Sequence, residues 1–189
     1  MQLSIPRRLL AAVSRLAAAQ DVRYYLNGVL IEVTGTEARI VATNGAAVGV
    51  ARFPASEPTT WSGIIPNDAV AHAIKSKSED VALIVDDGGR HFLAGLSFTP
   101  VEGRFPEYRR IIPRVVSGET ADFSADLIGV FAKVRKDLKG RGQPIIRQNG
   151  TGGAVVHFHN EPDFMGVLMP MQMFNDKNPD PGVPCWAAY

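Results

Sequence analysis

Residues 21–33 read DVRYYLNGVLIEV, and residues 38–51 read ARIVATNGAAVGVA. Beta-branched and aromatic residues crowd both stretches, as half-buried strands require. The pattern predicts strands over 23–34, 38–43 and 47–53, with TGTE at 34–37 as a turn. Upstream, residues 2–5 read as a short strand. Pro6 suits the first turn of a helix, where its missing N–H is not needed. Leu9, Leu10, Val13, Leu16 and Ala17 then recur at helical spacing, and Arg7, Arg8 and Arg15 take other positions.

The same order recurs downstream. WSGIIP at 61–66 predicts a strand and NDAVAHAIKSK at 67–77 a helix, with Asn67 and Asp68 placed to cap it. VALIVDD at 81–87 and HFLAGLSF at 91–98 flank a Gly88-Gly89 turn, a hairpin signal. A third copy opens with TADF at 120–123 and Ser124 as a helix N-cap. Leu127, Ile128, Phe131 and Val134 form an apolar face. Lys133, Arg135, Lys136, Lys139 and Arg141 crowd its end, where positive charge favours the helix dipole. Residues 144–160 predict a hairpin around Asn149-Gly150, and GVLMPMQMF at 166–174 a final strand. Repeated strand–helix–strands units give an α+β class, antiparallel sheets with helices on one side. Residues 175–189, rich in Pro, Asn and Asp, read as an irregular tail.

Composition removes several function classes. The formal net charge is +1, so any nucleic-acid role must come from local clusters of Lys and Arg. The single cysteine, Cys185, excludes an intrachain disulfide and a cysteine-based metal cluster. No apolar run approaches the ~20 residues that span a bilayer, and the N-terminus does not read as a signal peptide. We therefore expect a cytoplasmic protein. His157 and His159 fall on one side of a strand, but no third metal ligand is placed. RQNGTGG at 147–153 lacks the strand-to-helix setting of a phosphate loop. No nucleophile–base arrangement is identifiable, so an enzyme rests only on the fact that folds host many functions.

Three stretches carry a family resemblance: DVRYYLNGVLIEV with ARIVATNGAAVGVA, VEGRFPEYRRIIP at 101–113, and VLMPMQM at 167–173. They resemble the bacterial sliding-clamp family, the beta subunits of DNA polymerase III. The resemblance implies a DNA clamp fold, with residues 1–113 as a middle-domain-like pair of half-units. Residues 114–174 would be a C-terminal-domain-like single half-unit. In that family each protomer has three domains of two half-units, and two protomers close a ring. This chain would carry three half-units, so a twelve-unit ring would need four copies. A departure lies after ATNG: the family usually carries His-Arg-Leu, and here stand Ala46, Ala47 and Val48.

The resemblance implies a non-catalytic processivity factor without cofactors, which raises the effective concentration of its partners at the primer end. Its partners would be double-stranded DNA, a DNA polymerase and other proteins with clamp-binding peptides, a clamp loader, and further copies of itself. Sliding needs phosphate attraction without base readout. Arg7, Arg8, Arg15, Lys75, Lys77, Lys133, Arg135, Lys136 and Lys139 are the candidates, and an ordinary solvated helix face is the plainer reading of each. The peptide pocket, carried over by motif position, would comprise Leu26, Thr43, Gly45, Val48, Pro106, Arg110, Ile111, Val167, Met169, Pro170 and Met171. Deformable methionines suit such a pocket, although alternation alone also makes Met169, Met171 and Met173 one face of a buried strand. A clamp-derived peptide-binding or clamp-modulating module that forms no ring on DNA is the alternative function. Trp186 and Tyr189 on the tail are candidate anchors for folding back into the pocket.

Overall fold

Alternation along one long strand organises the molecule. Val29, Ile31 and Val33 join the main core, whereas Leu30 and Val41 belong to a second cluster on the opposite face. That strand therefore has two covered faces. The computed structural model describes residues 1–140, 143–171, 180 and 182. In chain order it contains β1 (Gln2–Pro6), α1 (Arg7–Ser14), β2 (Gly28–Thr43), β3 (Ala47–Pro66), α2 (Asn67–Ala73), β4 (Asp80–Val85), β5 (His91–Leu93), β6 (Leu96–Phe98), α3 (Ala125–Asp137), β7 (Ile145–Arg147), β8 (Ala154–His157) and β9 (Phe164–Leu168).

All ladders are antiparallel. One sheet has the order β1-β4-β5-β6 and the other β2-β3-β9-β8-β7. The second sheet joins distant parts of the chain: Ala47–Ala51 of β3 pairs with Phe164–Leu168, with Val48 opposite Val167 and Val50 opposite Met165. α1 lies between α2 and α3. Flanked in this way, it buries Leu9, Leu10, Ala11, Ala12 and Val13. The main core combines Leu9, Leu10, Ala12 and Val13 with Val70 of α2, Phe131 and Val134 of α3, and the inward positions of both sheets. Gly166 lets Phe131 approach β9, because a Cβ at Gly166 would collide with the Phe131 ring. The opposite face of the second sheet is covered by the segment 101–112, which sets Phe105 and Tyr108 on Leu30, Val41, Val48, Val50, Ile64 and Val167.

The structure departs from the local sequence reading in several places. The TGTE stretch is not a turn: β2 runs through it, and the register slips between Gly35 and Glu37. A bulge and a turn use the same glycine, and Gly35 has φ +61°. Tyr24–Leu26 forms a 3-10 turn in place of the strand start. HFLAGLSF splits into the β5–β6 hairpin, with Ala94 and Gly95 both at positive φ. TADF contributes only an isolated bridge, Asp122 to Met171. Pro6 closes β1 and sits just before α1. α2 starts after Pro66; Asp68 accepts from the Ala69 N–H, while the Asn67 amide donates to the Ala18 carbonyl. Ser124 occupies the N-cap position of α3 without a side-chain cap hydrogen bond.

Candidate functional site

The β2–β3 turn is tightly self-bonded. Thr43 Oγ1 donates to the Ala47 carbonyl at 2.7 Å and accepts from the Gly45 N–H at 3.0 Å. Asn44 Oδ1 accepts from the N–H groups of Ala46 and Ala47, each at 2.9 Å. Beyond β9 the chain stays attached to this turn, because the Met169 N–H donates to the Ala46 carbonyl at 2.9 Å. Ala46 and Ala47 thus enter the turn's hydrogen bonds through backbone groups, while Thr43 and Asn44 supply its side-chain contacts.

Four candidate pocket residues meet beside this turn. Val48 and Val167 are register partners. A Cβ placed on Gly153 would lie 2.6 Å from Val167 Cγ1, 3.4 Å from the Ile111 carbonyl oxygen and 3.4 Å from Met169 Sδ. Ile111 and Met171 are exposed, at 41% and 44%, while Val48 and Val167 are fully buried. Met169 and Pro170 are half-buried; Pro106 and Arg110 lie exposed on the covering segment. Met171 is fixed by its N–H to the Asp122 carbonyl at 2.8 Å. Leu26 is buried in the 3-10 turn, and Gly45 is exposed at φ +90°.

Other residues beside the candidate site were not apparent from spacing. Arg23 lies over Gly45, where an added Cβ would be 2.9 Å from its Nη2. Asp21 holds that guanidinium through Nε at 3.0 Å and Nη2 at 2.7 Å. These Arg23 hydrogen bonds hold the Asp21 carboxyl down at about 2. Tyr108 anchors the covering segment by donating its hydroxyl to Glu32 at 2.6 Å. Arg109 and Arg39 also reach Glu32. Burial first, and then Glu32, push the Tyr108 hydroxyl up to about 12. Asp21 and Arg23 stand two residues apart, a signal available in the sequence; Tyr108 and Glu32 do not.

The basic residues divide into two groups. Arg7 donates to the Ser78 carbonyl, Arg8 pairs with Glu161 at 2.6 Å, and Arg15 pairs with Asp137 at 2.6 Å. Lys75, Lys77, Lys133, Lys136 and Lys139 are exposed, and Arg135 is half-buried. Lys75 and Lys77 lie beyond the end of α2, and Lys139 beyond α3. Arg7, Arg8, Lys136 and Lys139 line one groove of about 360 Å³, together with Glu79, Asp80 and Asp137. Arg141, Met173, Trp186 and Tyr189 lie outside the described residues. Among the described residues, no three His, Cys, Asp or Glu side chains gather as metal ligands, and no helix is long and apolar enough to cross a membrane.

The sequence model of the DNA polymerase III beta subunit central domain matches residues 3–107. The beta sliding clamp of Escherichia coli K12 is 38% identical over 115 residues, covering 57% of this chain and 31% of that protein. The beta sliding clamp of Pseudomonas aeruginosa is 34% identical over 119 residues, covering 57% and 32%. The chain thus spans about a third of the length of the curated relatives it matches. A crystal structure of the Pseudomonas aeruginosa DNA polymerase sliding clamp superposes with a TM-score of 0.68 at 22% identity, covering 92% of this chain and 67% of that one. The Thermotoga maritima DNA polymerase III beta subunit gives 0.72 at 14% identity, covering 92% and 66%. The superposition shows the clamp fold, and the match over residues 3–107 takes in more than half of the sequence: the chain belongs to the DNA polymerase III beta subunit family.

Proposed function

We propose that this chain is a non-catalytic, sliding-clamp-like processivity factor of the cytoplasm. It holds partner proteins by short peptides on its outer face and duplex DNA on its helical face. Residues 1–113 form its middle-domain-like part and 114–174 its C-terminal-domain-like part. A DNA polymerase, a clamp loader and further copies of the chain are its partners. The observation that carries this reading is the convergence of Ile111, Val167 and Met169 on Gly153, beside Val48 and the Thr43–Ala47 turn. An apolar peptide anchor seated beside them would bury its area against the exposed Ile111 and Met171 and the half-buried Met169 and Pro170, which are already positioned.

Titration with a fluorescently labelled clamp-binding peptide tests the outer face. Saturable binding that is lost in Met169→Glu supports the reading; no binding at millimolar peptide overturns it. Titration with duplex DNA at increasing salt tests the helical face. Log affinity should fall linearly with log salt, and Lys133→Ala with Lys136→Ala and Lys139→Ala should flatten that slope by roughly 2–3. A second reading, a peptide-binding module that does not encircle DNA, draws support from Arg7, Arg8 and Arg15, whose guanidinium groups already have partners within the chain. Peptide binding without salt-sensitive DNA binding favours it.

A further inference from the structure

The covering segment leaves a groove of about 500 Å³ on the outer face of the second sheet, lined by Val50, Met165, Phe164, Ile112 and Tyr108 with Arg39, Arg52, Arg109 and Asp163 at its polar positions. Its floor continues the candidate pocket. Val50 and Met165 are register partners one same-face step along from Val48 and Val167, about 7 Å away. Ile112 follows Ile111 directly.

Arginines outnumber acids three to one in the lining, with the side chains of Asp163 and the neighbouring Glu37 45% and 50% exposed. The side chains of Arg52 and Arg109 are 60% and 53% exposed, and that of Arg39 is 36% exposed. The acid beneath them, Glu32, is only 19% exposed and is shared by Tyr108, Arg109 and Arg39. Glu37, paired with Arg39, stands to one side of the groove lining. Asp163 is the single acid of the lining, and Arg52 meets it through Nε at 3.0 Å. A guanidinium carries five N–H donors in a fixed fork, so one such contact leaves most of Arg52's donors on the rim.

We propose that this groove is a second docking site for an acidic–aliphatic peptide segment, with an aliphatic side chain on Val50, Ile112 and Met165 and a carboxylate facing Arg52 and Arg109. The proposal rests on the peptide-docking reading for its setting: such a segment would flank the anchor seated at Val167 and Met169, adding to affinity without adding to the anchor itself.

Methyl NMR on the full chain separates the two sites. The probe is the acetylated, amidated peptide Glu-Leu-Glu-Leu, with Lys-Leu-Lys-Leu as its charge-reversed control. The acidic peptide should shift the methyls of Val50, Ile112 and Met165, the control should not, and Arg52→Gln should weaken binding at least fivefold. Absence of shifts at millimolar peptide overturns the proposal, as do equal shifts from the control, or shifts produced by a DNA duplex and not by the acidic peptide. The clamp-binding peptide is read separately at Ile111 and Met169. Its failure there removes the pocket reading and leaves the groove's result standing, and the reverse also holds.

Discussion

Two side-chain contacts, Tyr108 on Glu32 and Arg23 over Gly45, hold loop segments against the second sheet. Tyr108→Phe keeps the ring on the sheet and removes the 2.6 Å hydrogen bond to Glu32, a loss of about 1 kcal/mol in chemical denaturation. The same hydroxyl has a pH signature. Its folded value of about 12 lies above the ordinary 10.0, so the neutral form is favoured by folding. That stability is complete below pH 10 and is lost as pH rises from about 10 to 12. Melting curves of the wild type should fall more steeply through that window than those of Tyr108→Phe; parallel curves would contradict the assignment. At Gly45, φ of +90° and the Arg23 guanidinium both oppose a side chain. Gly45→Ala should cost about 1–3 kcal/mol by thermal melting. Asp21 acts in the opposite pH direction: its carboxyl is lowered from 3.8 to about 2, so the Arg23 clasp is complete above about pH 4 and is released as pH falls toward 2. Gly45 amide shifts should follow that release. Asp21-Arg23 is a local pair, but its target is 22 residues on, and Tyr108 reaches back 76 residues. Neither long-range partner could be read from spacing.

The elements were legible where periodicity decided them and not where a partner strand did. The alternation of Val29, Ile31 and Val33 and the helical spacing around Phe131 and Val134 both appear as core contacts. The TGTE stretch failed because β3 pairs on both sides of it, with Gly35 opposite Thr59 and Glu37 opposite Pro54. Local chemistry could not distinguish that bulge from a reversal. Most residues of the candidate pocket could be named only through resemblance, since Val48 and Val167 are distant in sequence and adjacent in register. The α3–β9 contact is the element-level test. Phe131→Ala should cost about 3–5 kcal/mol, whereas Gly166→Ala, which presses a methyl onto that ring, should cost about 1–3 kcal/mol. Equilibrium urea unfolding measures both, and a Phe131→Ala chain as stable as the parent would contradict the packing described.

For the whole molecule, the question is what joins residues 1–66 to residues 120–171. Among the described residues, ion pairs that cross that junction include three: Arg8 with Glu161, Arg15 with Asp137 and Arg52 with Asp163. All three are at least partly exposed, so each contributes about 0–1 kcal/mol and is screened by salt. The β3–β9 ladder and the buried Phe131 are not screened. Raising salt from 0.05 to 0.5 M should therefore lower stability by no more than about 2 kcal/mol, with β9 amides still protected in hydrogen exchange. Early exchange of β9 at high salt would mean that charge, and not burial, holds the junction.

β3 runs from the turn that borders the candidate pocket to Pro66, the residue before α2. Mechanically it is a beam with one joint. The joint lies between Pro54 and Thr59, where the partner strand skips register, and the segments on either side are laced to β2. The Ala47–Ala51 arm lies at one end of this beam, and α2, with Lys75 and Lys77 just beyond it, follows the other. The candidate pocket's border and the lead-in to α2 are thereby parts of a single piece of backbone.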